Sequence, residues 1–192
     1  DIKKLPNKIK KIVLKDLKKI VFKRKNLNKY TDISKPLIMG VLNLTPDSFS
    51  DGGLFNQSKK AFTHINNMIS KGADIIDIGG ESTRPGSKTI PHKVEWNRLK
   101  KTIINFKKRF PKIFLSIDTR KSYVMLNAIK YKSDLINDVS GFSYDQEAIG
   151  KIKNFNVWKV IHHMQGTPNT MQINPSYKNV LLDIYDFFEK KI

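Results

Sequence analysis

The sequence predicts an α/β fold of the barrel kind, in which parallel strands alternate with helices. Three observations carry this. Short apolar runs of strand length recur from residue 37 onward. Longer stretches with helical periodicity separate them, the pattern of βα units and a parallel sheet. Polar residues sit at or just past the C-terminal end of all five predicted strands. In a closed (β/α) barrel those ends line one mouth, whereas a doubly wound sheet concentrates them at a switch point.

The predicted strands are 37–42 (LIMGVL), 74–78 (DIIDI), 112–117 (KIFLSI), 134–139 (DLINDV) and 157–162 (VWKVIH). The predicted helices are 58–71, 92–109, 120–131, 144–154 and 176–190. The third is the clearest, because Val124, Leu126, Ala128 and Ile129 fall among lysines. Ahead of the first strand, residues 8–23 place Ile9, Ile12, Val13, Leu17, Ile20 and Val21 near one helical face. Such a basic amphipathic helix suits either packing on the bottom of the domain or an anionic surface. Residues 24–36 carry turn signals and read as a connection. The expected organisation is a basic extension or linker over 1–35 and a barrel domain over 36–192.

Composition narrows the classes. The 192 residues carry a net charge of +19, with hydrophobic content of 39%. Residues 1–35 hold thirteen Lys/Arg against three Asp, so +10 lies in that segment. Lysine far outnumbers arginine, and no RNA-reading aromatic motif or zinc-finger spacing is present, so no nucleic-acid partner is expected. No run approaches the roughly 18 apolar residues of a membrane span. There is no signal-peptide pattern, so the expected location is cytoplasmic. The absence of cysteine excludes a disulfide framework and a thiolate metal site. The chain starts at Asp1 rather than Met, as expected of a processed product or a piece of a longer one.

Candidate chemistry gathers at the strand tips. Asn43 ends the first strand. Its carboxamide oxygen suits a hard cation such as Mg²⁺, and equally a backbone-satisfied turn. The loop 79–87 (GGESTRPGS) combines glycines, the hydroxyls of Ser82 and Thr83, and the Arg84 fork, a set suited to anionic oxygens. It lacks the GxxxxGK[ST] pattern of a P-loop. Asp118 follows the third strand and suits a heterocycle with paired N–H donors, or a cap for the next helix. Asn137 offers both donors and acceptors. His162 and His163 are adjacent on a strand and point to opposite faces, so they read as a pocket wall and a packed residue rather than a metal pair.

The order of motifs carries a resemblance. MGVLNLTPDSFSDGG, ADIIDIGGESTRPGS, SIDT, INDVSG and HHMQGTPNTMQ follow one another. From residue 36 to about 190 the chain resembles dihydropteroate synthase, a (β/α)8 barrel of the pterin-binding group. The resemblance implies condensation of 6-hydroxymethyl-7,8-dihydropterin pyrophosphate with p-aminobenzoate. The products are 7,8-dihydropteroate and pyrophosphate, in a step of folate synthesis that sulfonamides target. It assigns Asn43 to Mg²⁺ and pyrophosphate. It places Phe49 and Asp51 on a loop that orders over the active site, with Phe49 at the aminobenzoate pocket. Thr83 contacts the pterin pyrophosphate, Arg84 pairs with Asp51, and Pro85 encloses the aminobenzoate. Asp118 and Asn137 match pterin-binding positions.

Two departures stand out. His162 occupies a pterin-wall position where the family often has Met. The family's DPGxGFGK, Ser-Arg-Lys and Arg-x-His segments do not appear, and a full barrel takes about 250 residues. The expectation is a barrel truncated after its fifth βα unit, with first and fifth strands as exposed edges and little or no activity of the chain alone. Family members are commonly dimeric, so the resemblance implies a homodimer as a partner. Competing readings are a non-catalytic pterin-binding paralogue or fragment, a methyltetrahydrofolate methyltransferase, and an anionic-partner module using residues 1–35.

Overall fold

The computed structural model describes residues 2–21, 34–45, 54–82, 87–167 and 170–192. The chain divides into two compact units, Asp1–Pro36 and Leu37–Ile192. In the first, a short 3-10 turn (Ile2–Lys4) precedes helix α1 (Asn7–Val21). Its Ile9 and Ile12 are exposed, as is Leu17.

The second unit runs β1 (Met39–Asn43), α2 (Leu54–Ser70), β2 (Ile75–Gly79), α3 (His92–Arg109), β3 (Phe114–Asp118) and α4 (Ser122–Lys130). It continues with β4 (Leu135–Asp138), α5 (Ala148–Ile152), β5 (Trp158–Ile161) and α6 (Val180–Lys191). All five strands pair in parallel in the order β1-β2-β3-β4-β5. Each strand lies beside its predecessor and the order never reverses. That is the winding of a barrel, because a doubly wound sheet reverses at a switch point.

The sheet has two faces of different character. Leu42, Ile76, Ile78, Leu115, Ile117 and Ile136 point to the helices and form the core with Ala61, Phe62 and Ile65 of α2. Helix α3 adds Trp96, Leu99, Ile103 and Phe106, spaced three to four residues apart, while its lysines face outward. Its Glu95 in the first turn and Lys107, Lys108 and Arg109 in the last turn suit the helix dipole. Gly80 has no room for a side chain: a Cβ there would lie 2.9 Å from Leu99 Cγ and 3.1 Å from the Glu95 carbonyl.

The opposite face carries Val41, Asp77 and Ser116 in register across β1 to β3, and Asp118, Asn137 and Val160 in register across β3 to β5. It is the face that would line a barrel interior. The central strands β2 and β3 are almost wholly buried, but among the described residues β1 and β5 each have a single strand neighbour. Val41 on β1 is 54% exposed and Trp158 on β5 is 45% exposed. The first and fifth strands are therefore the sheet's edges.

Predicted and observed elements differ mainly at one helix. The stretch expected to be helical over 144–154 contains only the five residues of α5. Asp145 explains the later start. Its Oδ1 accepts the Glu147 backbone N–H at 3.1 Å, holding 145–147 in a turn ahead of the helix. Helix α6 is capped by Asn179, whose side-chain oxygen accepts the N–H groups of Leu181 and Leu182. Among the described residues no helix is long and apolar enough to cross a membrane.

Candidate active site

The C-terminal strand ends bring Asn43, Asp118 and Asn137 to one place. Gly79 lies between two of them. A Cβ built on it would sit 3.3 Å from Asn43 Oδ1 and 3.4 Å from Asp118 Oδ2. A glycine at the end of β2 thus lets two oxygen-bearing side chains from β1 and β3 converge over its backbone.

Asn137 continues the ring from β4. Its Nδ2 donates to Asp77 Oδ2 at 3.1 Å, and its Oδ1 lies 2.9 Å from His162 Nε2. Asp77 Oδ1 in turn accepts a hydrogen bond from Ser116 Oγ at 2.5 Å. A chain Ser116–Asp77–Asn137–His162 therefore crosses four strand positions on the interior face. Sequence reasoning missed Asp77 and Ser116. The available signal was a carboxylate in the middle of an apolar strand, DIIDIG, two residues before Gly79 and so on the same face.

Burial dominates the electrostatics. It pushes the Asp118 carboxyl up to about 7, helped by the negative charges of Asp77, Glu95 and Asp138 and opposed by Arg120. Burial also raises Asp77, against hydrogen bonds from Ser116 and Asn137 and the charge of His162. The mouth is thus a strongly acidic, partly desolvated place that favours hydrogen-bond donors.

Asp118 does not cap the following helix. Helix α4 is capped at Lys121 without a side-chain bond, and the Ser122 N–H is taken by Asp145 Oδ2 at 2.8 Å. Its carboxylate is left to the mouth. The two histidines separate as adjacent strand-end residues should. His162 joins Asn137, while His163 Nε2 lies 3.0 Å from the Tyr177 hydroxyl and its ring packs edge-on to Phe187.

Behind the mouth lies a buried ionic cluster. Glu81 accepts from Arg120 Nη2 and from Lys121 Nζ, both at 2.8 Å, and from the Ile90 N–H at 2.8 Å. Lys121 Nζ also reaches Glu95 Oε2 at 2.6 Å. Burial tends to raise Glu81, but the Lys121, Ile90 and Arg120 donors outweigh it and hold Glu81 low. For Glu95 burial prevails and its carboxyl is raised. Glu81 thereby ties Ile90, nine residues on, to the end of β2. Phe49, Asp51, Thr83, Arg84 and Pro85, singled out by sequence, lie outside the described residues.

Among the described residues no group of three or more His, Asp or Glu side chains is placed to hold a metal. Asn43 Oδ1 offers a hard oxygen here, with Asp118 Oδ2 close by. That fits Mg²⁺, which keeps several waters and takes one or two protein oxygens plus substrate phosphates.

A sequentially wound parallel sheet with polar groups converging at its strand C-termini defines a barrel-type α/β protein with a candidate ligand site at those ends. The profile of the family described as "Pterin binding enzyme" matches residues 39–192, and the chain belongs to that family. It is 42% identical over 164 residues to the dihydropteroate synthase of Haemophilus influenzae, covering 85% of this chain and 59% of that protein. For the Escherichia coli dihydropteroate synthase the figures are 39% over 161 residues, 84% and 56%. Among solved structures, the Yersinia pestis dihydropteroate synthase with a sulfonamide drug complex superposes with a TM-score of 0.76 at 39% identity, over 83% of this chain and 57% of that one. The Burkholderia cenocepacia dihydropteroate synthase complexed with 7,8-dihydropteroate gives 0.70 at 37%, over 84% and 53%. The chain thus spans somewhat more than half the length of the relatives it matches.

Proposed function

We propose that this chain serves as the pterin-binding part of a dihydropteroate synthase. The observation that carries the reading is the convergence of Asn43, Asp118 and Asn137 from β1, β3 and β4 around Gly79. Its support is the family membership and the activity named for the relatives. The reaction joins the methylene carbon of 6-hydroxymethyl-7,8-dihydropterin pyrophosphate to the amino nitrogen of p-aminobenzoate. The carbon–oxygen bond to pyrophosphate breaks, and the amine loses a proton.

Each residue type suits its part. Asp118 and Asn137 accept N–H donors of the pterin ring and orient its methylene toward the mouth. Asn43 would hold Mg²⁺, which when bound neutralises charge on the departing pyrophosphate. Thr83 would donate to that pyrophosphate, and Arg84 would pair with Asp51 across the mouth. Phe49 and Pro85 would enclose the aminobenzoate and exclude water, which otherwise traps a developing cation at the methylene. The aryl amine is itself nucleophilic, so no protein nucleophile is required. Sulfonamides would compete for the aminobenzoate position. Cytoplasmic location and a homodimeric assembly complete the proposal.

The test has two arms. Binding of 6-hydroxymethylpterin to this chain, weakened at least tenfold by Asp118→Asn, supports the pterin site. Pyrophosphate release dependent on p-aminobenzoate is then measured for this chain and for the product of the complete reading frame. Release from the latter, lost on Asn43→Ala, establishes the synthase. Pterin binding without turnover in either polypeptide would instead assign the non-catalytic pterin-binding reading. No pterin binding to either would overturn the proposal.

A further inference from the structure

Asp77 has no role in the reaction as set out above, yet it is 4% exposed in the middle of β2 and faces the polar ring. An ionised carboxylate offers lone pairs only. Its Oδ2, 3.1 Å from Asn137 Nδ2, therefore demands the NH2 end of that amide. The carbonyl end must then point the other way, toward His162, so the His162 Nε2 at 2.9 Å has to carry the proton and donate. Ser116 Oγ, donating to the other oxygen, holds the Asp77 carboxylate itself in place.

We propose that Asp77 is a positioning residue that locks the Asn137 carboxamide with its oxygen toward the mouth. Asn137 then presents its acceptor only, as Asp118 does when ionised, and the site admits a ligand edge made of N–H donors. In the free chain the His162 ring N–H stands in for such a donor at Asn137 Oδ1. A ligand displaces it, and His162 becomes a side chain whose removal tightens binding. The inference deepens the pterin reading and rests on it for the ligand. The amide lock itself concerns only this chain's residues.

The deciding experiment is NMR on the full chain labelled with ¹⁵N, without ligand. The Asn137 side-chain NH2 pair is assigned by its loss in Asn137→Asp. Expected is a pair shifted from free-amide positions and protected from exchange, with His162 protonated at Nε2. In Asp77→Ala the pair should move to free-amide positions, while Ser116→Ala should shift it only partly. A free-amide pair in the unmutated chain, an unmoved pair in Asp77→Ala, or a proton on His162 Nδ1 with Nε2 bare would each overturn the proposal. Should Asp77→Ala fail to fold, the unmutated chain and Ser116→Ala still decide the matter. Titration with 6-hydroxymethylpterin adds the functional readout. Asp77→Ala should weaken binding about tenfold or more, and His162→Met should strengthen it several-fold. If the unmutated chain binds no pterin, the pterin reading fails while the amide resonances still judge Asp77.

Discussion

The Lys121 ammonium lies 2.6 Å from Glu95 Oε2, and both side chains are almost fully buried, at 8% and 0% exposure. Lys121 also serves Glu81, so one cation balances two carboxylates, with Arg120 as the second. Removing one partner of a buried ionic cluster leaves uncompensated charge. Lys121→Met should destabilise the chain by about 3–5 kcal/mol, read from urea unfolding. The exposed Lys151–Glu147 pair gives the contrast, and Lys151→Ala should leave the urea midpoint unchanged.

Asp118 gives a pH signature. Its carboxyl is raised from 3.8 to about 7, so the folded state holds a proton that the unfolded chain releases. Its contribution to stability is fully present below 3.8 and is lost as pH rises to about 7. Asp118→Asn should therefore gain on the unmutated chain between pH 4 and pH 8, by the order of a few kcal/mol in urea unfolding. Ligand binding should run the other way. Affinity for 6-hydroxymethylpterin should rise with pH toward about 7 and then level off, because N–H donors prefer the ionised carboxylate.

Gly79→Ala should separate the site from stability. A Cβ 3.3 Å from Asn43 Oδ1 displaces that side chain by a few tenths of an ångström and stands in direct contact with Asp118 Oδ2 at 3.4 Å. A strand accepts alanine readily, with a change in unfolding free energy of about 1 kcal/mol or less in either direction. Pterin affinity should fall about tenfold, since misplaced acceptors lose their hydrogen bonds. Unchanged affinity in a calorimetric titration would show that Asp118 does not meet the ligand.

The open edges predict self-association. Val41 and Trp158 stand exposed on edge strands, facing the would-be barrel interior. Unpaired strand edges with apolar side chains recruit further strands. Sedimentation velocity on this chain should show concentration-dependent association, reduced in the Val41→Lys, Trp158→Lys double variant. Equal association in both would place the contact elsewhere.

Much of this protein is legible in one dimension. The strand and helix alternation, the parallel sheet and the polar strand tips follow from local periodicity and from where charged residues interrupt apolar runs. Asn43, Asp118, Asn137 and His162 could be named as candidates because each sits at a strand end. Their partners could not. Asp77 meets Asn137 across 60 residues, and Glu81 meets Lys121 across 40. Which carboxylate faces which donor depends on strand register and on side-chain direction, and a shift of one residue would turn Asp77 into the helix layer. The sequence alone determined the kind of fold and the types of group available at its mouth. Only the tertiary structure decided which of them touch, how burial raises Asp118, and that Asp118 is free of helix capping, because those depend on desolvation and distance between segments far apart in the chain.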